Sequence, residues 1–70
     1  MERINLITKT FGKPISFKQG SQGEFYLSAE DKMDNMTIYL AVKLLQAKGQ
    51  IDVAYCDIKG YEPVLVVFNK

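Results

Sequence analysis

The chain has 70 residues, 47% of them apolar, with nine basic and eight acidic side chains, a net charge of +1, one cysteine and neither histidine nor tryptophan. So short a chain forms one domain, residues 1–70, whose core is of marginal strength because much of its surface stays exposed. A lone thiol excludes an internal disulfide, the lack of histidine excludes an ordinary zinc site, and the charge balance lacks the basic excess of a nucleic-acid footprint, which leaves self-association as the expected aid to stability.

The opening run Met1-Glu2-Arg3-Ile4-Asn5 lacks the continuous apolar core of a secretory leader, and no stretch has the length of a membrane span. A cytoplasmic location is therefore expected, and the unpaired Cys56 agrees with a reducing compartment. Arg3, Lys9, Lys13 and Lys18 stand against only Glu2 early in the chain, whereas Glu24, Glu30, Asp31 and Asp34 dominate the stretch before the middle.

Residues 4–10 are moderately apolar with threonine and read as a first strand, closed by the turn Phe11-Gly12-Lys13-Pro14. Ile15 and Phe17 then alternate with Ser16 and Lys18, the pattern of a half-buried second strand. After the turn Gly20-Ser21-Gln22-Gly23, residues 24–28 form a third strand antiparallel to the second. Asp34 or Asn35 is the expected cap of a helix running from about residue 36 to residue 48, with Gly49 supplying the left-handed stop. Ile51, Val53 and Tyr55 alternate with Asp52, Ala54 and Cys56 in a fourth strand. The fifth, residues 64–68, is apolar on both faces and so belongs in the middle of a sheet or between two covering layers. The order β-β-β-α-β-β predicts an α+β fold, either a small OB-like five-stranded barrel or a sheet with one helix across a face.

The helix carries two apolar stripes. Met36, Leu40, Leu44 and Ala47 cluster on one side, and Ile38, Ala41, Val42 and Leu45 lie roughly opposite. A surface helix of a small monomer needs one stripe for its own core, so the other is expected to meet a second subunit. The interface is assigned to Ile38, Ala41, Val42 and Leu45, with Leu40 taking the place of Leu45 if the stripes are exchanged.

Within residues 23–55, Gly-Glu-Phe-Tyr-Leu-Ser, an acidic loop, and then Ala41-Val-Lys-Leu-Leu-Gln-Ala-Lys-Gly-Gln-Ile-Asp-Val-Ala-Tyr resemble the B-subunits of pentameric bacterial toxins of the cholera and Shiga kind. The resemblance implies an OB-type barrel in a five-fold ring, with helices at the centre, neighbouring edge strands paired, and aromatic rings stacked on glycans. The rings available for that role are Tyr26, Tyr55 and Tyr61, and Phe11 and Lys13 complete the ligand-binding candidates. The chain departs from that family in having no disulfide pair, no visible leader and no tryptophan.

Catalytic chemistry finds no foothold. Without histidine there is no Ser-His-Asp or Cys-His arrangement, and Cys56 beside Asp57 has no evident base. Asp31 with Asp34, and Asp52 with Asp57, are read as helix-start and solvent-face acids. The glycines match neither a phosphate loop nor a dinucleotide motif, and no cofactor is expected. The sequence therefore predicts a non-enzymatic binding module that self-assembles and takes a glycan or a protein. Two alternatives stand beside it: an OB-like protein that stacks single-stranded nucleic acid on Phe11, Phe17, Phe25 or Tyr26 near Lys9, Lys13 and Lys18, and a small inhibitor or adaptor that docks on one protein partner.

Overall fold

Ile4, Ile7 and Phe11 recur at intervals of three and four residues, the spacing of one helical face, and the segment that contains them is a helix, α1 (Glu2–Phe11). The computed structural model describes residues 2–69. The first strand expected over residues 4–10 is thus replaced by a helix. Its isoleucines and threonines favour a strand locally, but Ile4 and Ile7 bury together in the core only when the chain coils. Glu2 in the first turn and Lys9 in the last suit the helix dipole, and Gly12, at φ +86°, takes the left-handed turn that ends it.

Four strands follow: β1 (Ile15–Gln19), β2 (Phe25–Ala29), β3 (Val53–Asp57) and β4 (Val64–Phe68). A single 3-10 turn (Lys32–Asp34) leads into the second helix, α2 (Asn35–Ala47), between β2 and β3. The strands form one antiparallel sheet in the order β1-β2-β4-β3. The expected five strands with one helix, whether closed as an OB-like barrel or laid out as a sheet, are overturned: there are two helices and four strands among the described residues, and the sheet is open, with β1 and β3 at its edges. With the first segment coiled into α1, no fifth strand is left to close a barrel.

β4 lies in the middle of the sheet, as its apolar character on both faces requires. Its Val64 and Val66 are fully buried beneath α2, while Leu65 and Val67 lie partly buried on the opposite face. Register carries these rows across the sheet. Phe17, Leu27 and Val64 share the helix-covered face, and Lys18, Tyr26, Leu65 and Asp57 share the uncovered one. In β3 the expected alternation breaks, because a register shift between Val53 and Tyr55 keeps Val53 in the core and leaves Tyr55 exposed.

α2 begins and ends by separate devices. Asp31 accepts the Met33 amide at 3.0 Å and so caps the 3-10 turn, while Asp34, at the head of α2, makes no side-chain cap bond. At the other end Gly49, at φ +73°, donates to the Gln46 carbonyl and Gln50 donates to Leu45, the paired bonds of a Schellman motif.

Asn35, the one buried polar residue among those described, is 1% exposed and does not cap the helix with its side chain. Its Oδ1 accepts the Ala29 amide at 2.8 Å, and its Nδ2 donates to the carbonyls of Tyr61 at 3.0 Å and Glu62 at 3.3 Å. Ala29 lies beyond the last residue of β2 that pairs with β4, so the Asn35 carboxamide occupies the place of the missing strand. The amide is thereby satisfied where the ladder stops.

Candidate interaction surface

The two apolar stripes of α2 have different fates. Ile38 and Val42 are fully buried, and Ala41 and Leu45 nearly so, in a core shared with Leu27, Val64 and Val66. The four residues assigned to an oligomer interface are therefore buried inside this chain. The opposite stripe is left uncovered: Met36, Leu40 and Leu44 are 44%, 56% and 48% exposed, and Met33, one turn earlier, is exposed as well. Periodicity alone gives both stripes equal weight, and only the position of α2 over β2, β3 and β4 decides between them.

The exposed stripe is almost free of charge. Lys43 is the only ionic side chain in α2, and its ammonium lies 5.5 Å from the Tyr39 ring centroid, beside the stripe. Leu40 stands four residues from both Met36 and Leu44, so the three side chains form one row along the helix.

The ligand-binding candidates are not gathered into one site. Tyr26 and Tyr55 do share the uncovered face of the sheet, opposite Leu65 and Val67 of β4 in turn. Their hydroxyls donate to neighbouring carboxylates, Tyr26 to Glu24 at 3.2 Å and Tyr55 to Asp57 at 3.4 Å. Tyr26 lines an open recess of about 400 Å3 together with Ile58, Pro63 and Leu65 and the charged Asp57, Lys59 and Glu62. Tyr61 is exposed on the β3–β4 loop. Phe11 packs partly buried against the core, and Lys13 is 3.3 Å from Asp34 in an exposed ion pair, too solvated to contribute much.

Several acidic side chains have structural partners. Glu24 accepts the Gln22 amide at 2.8 Å, and Asp52 accepts the Asn69 carboxamide at 2.7 Å. No group of three or more cysteine, aspartate or glutamate side chains among the described residues is placed to hold a metal ion. Cys56 is half-buried on β3, where burial pushes its thiol pKa up, nearby Lys43 pulls it down, and Asp57 raises it further. No helix of the described residues is long and apolar enough to cross a membrane.

Two features escaped the sequence reading. Asn35 looked like a helix cap, and nothing in its neighbourhood marks it as a bridge between β2 and the β3–β4 loop. β1 was expected to be half-buried, yet it is exposed along nearly its whole length, with Phe17 43% accessible. The signal present was Lys18, since a lysine on an otherwise uncharged strand is a common mark of a sheet edge. No protein-family model, curated protein or solved structure matches this chain.

Proposed function

We propose that this chain is a non-enzymatic, self-associating module whose subunits meet through the outer face of α2. The observation that carries this reading is the row Met36, Leu40 and Leu44, exposed on a helix whose opposite stripe already fills the core. Two such helices packed antiparallel about a two-fold axis at Leu40 place Leu40 against its own copy and Met36 against Leu44, so the row is complementary to itself. No acidic side chain lies in α2 to favour a basic partner, and its single lysine stands at the border. Burying a few hundred Å2 of apolar surface per subunit contributes several kcal/mol at about 25 cal/mol per Å2, comparable with the stability of a domain this small.

Light scattering on size-exclusion fractions at tens of micromolar tests this contact. Leu40→Lys is expected to lower the mass while keeping the circular dichroism of the folded chain. A wild-type monomer at that concentration overturns the reading.

A further inference from the structure

We infer that β1 is a second self-association surface, pairing antiparallel with β1 of another copy about a two-fold axis at Phe17. This goes beyond the α2 contact and uses none of its residues.

The first ground is the direction of the backbone. Gly20 donates to the Glu24 carbonyl at 2.7 Å, which fixes the alternation of the β1–β2 ladder. Counting back from that bond, Ser16 and Lys18 exchange hydrogen bonds with Ser28 and Tyr26, while the amides and carbonyls of Ile15, Phe17 and Gln19 point away from β2. No hydrogen bond reaches those outward groups among the described residues, and β2 is the only element that packs substantially on β1.

The second ground is the contrast between the two edges. β3, at the far side of the sheet, is blunted by its register shift and by Gln46, whose side chain donates to the Val53 carbonyl at 3.1 Å. β1 is regular over all five of its residues, has neither a bulge nor an internal proline, and carries Lys18 as its one charged side chain.

The third ground commits the edge to a second copy. With Phe17 opposite its own copy, Ile15 meets Gln19 and Ser16 meets Lys18, so neither lysine faces its twin and no like charges are opposed. The two exposed Phe17 rings come together beside the existing Phe17–Phe25 pair, whose centroids are 6.0 Å apart. The product is a continuous eight-stranded sheet with all helices on one face. A five-residue ladder buries less than the about 800 Å2 per partner of a typical stable dimer, so the contact is of modest affinity and is measured at high concentration.

The test uses charge exchange at position 17 in the Leu40→Lys background, which removes the α2 contact. At several hundred micromolar, Leu40→Lys alone is expected to have the mass of a dimer. Adding Phe17→Glu or Phe17→Lys is expected to halve that mass, because this register sets like charges face to face. An equimolar mixture of the two is expected to recover the dimer. If Leu40→Lys is a monomer where the wild type is a dimer, β1 pairing is overturned and the α2 contact stands. If neither charged variant changes the mass, β1 is not the contact, and if the mixture stays monomeric, the two-fold at Phe17 is wrong. Should the charged variants unfold by circular dichroism, Phe17→Cys with Cys56→Ala decides the matter. It forms a disulfide-linked dimer with oxidised glutathione if the strands pair, and remains monomeric if they do not.

Discussion

The Asn35 side-chain oxygen accepts the Ala29 amide at 2.8 Å, joining the first residue of α2 to the last residue of β2. The same carboxamide donates to two carbonyls of the β3–β4 loop, so three chain segments depend on one buried group. Asn35→Leu fills a similar volume but leaves the Ala29 amide and the loop carbonyls without these partners. A loss of about 2–4 kcal/mol in unfolding free energy is expected from chemical denaturation. Asn35→Asp keeps the acceptor but sets an oxygen against two carbonyl oxygens, and is expected to be less stable than wild type, with the deficit growing as pH rises through the range where the new carboxyl ionises.

Leu45 and Leu40 are leucines on opposite sides of one helix, and their truncations are expected to part company. Leu45→Ala opens a cavity in the core and is expected to cost about 2–5 kcal/mol. Leu40→Ala removes a half-exposed side chain and is expected to change the stability of the isolated subunit by less than about 0.5 kcal/mol. Equal costs, measured at a concentration where the subunits are separate, would contradict the assignment of the two stripes.

Glu24 governs an acid response in the β1–β2 turn. Hydrogen bonds from its own backbone amide and from Gln22 hold its pKa below the ordinary glutamate value, against a smaller opposing effect of desolvation. A folded-state pKa below the unfolded one adds stability that is present above the unfolded value and is lost as pH falls through the folded value. Glu24→Gln is expected to remove this part of the acid sensitivity, seen as a flatter dependence of the urea midpoint on pH at the acidic end. The charge on Glu24 also raises the Tyr26 pKa, followed by desolvation and by their hydrogen bond. In Glu24→Gln the tyrosine titration is expected to shift downward, and an unchanged Tyr26 titration by NMR would show that the pair is not formed.

Cys56 is expected to alkylate more slowly than a free cysteine at neutral pH, since burial on β3 raises its pKa and depletes the thiolate. Lys43 acts in the opposite direction, so Lys43→Ala is expected to slow the reaction with iodoacetamide further. A faster reaction in that variant would mean that Lys43 shields the thiol rather than stabilising its anion.

What could be read from the residues divides along physical lines. α2 was legible because its start and stop are local: acidic residues precede it and Gly49 supplies the positive φ that ends it. β4 was legible because an apolar run without alternation fits only a strand with neighbours on both sides. In α1 two local signals compete: the helical spacing of Ile4, Ile7 and Phe11 with a stop at Gly12, and the strand preference of its isoleucines and threonines, which the core contacts of Ile4 and Ile7 override. The bulge in β3 depends on pairing with β4, so the even alternation of Val53 and Tyr55 concealed it. At the candidate surface the two stripes of α2 were visible as stripes, but which one meets the sheet is a matter of tertiary position. Tyr26, Tyr55 and Tyr61 are surface aromatics as expected, whereas the places of Phe11 and Lys13 depend on α1, which stands where a first strand was expected.

β4, made after the other three strands, lies at the centre of the sheet, between β2 and β3, which have no ladder with each other. During synthesis, then, β1 and β2 can pair, but β3 has no partner while the ribosome still holds residues 64–68 in its tunnel. Folding is expected to wait for that segment and then to proceed in one cooperative step. A released chain truncated after Glu62 should be as sensitive to protease as a denatured one.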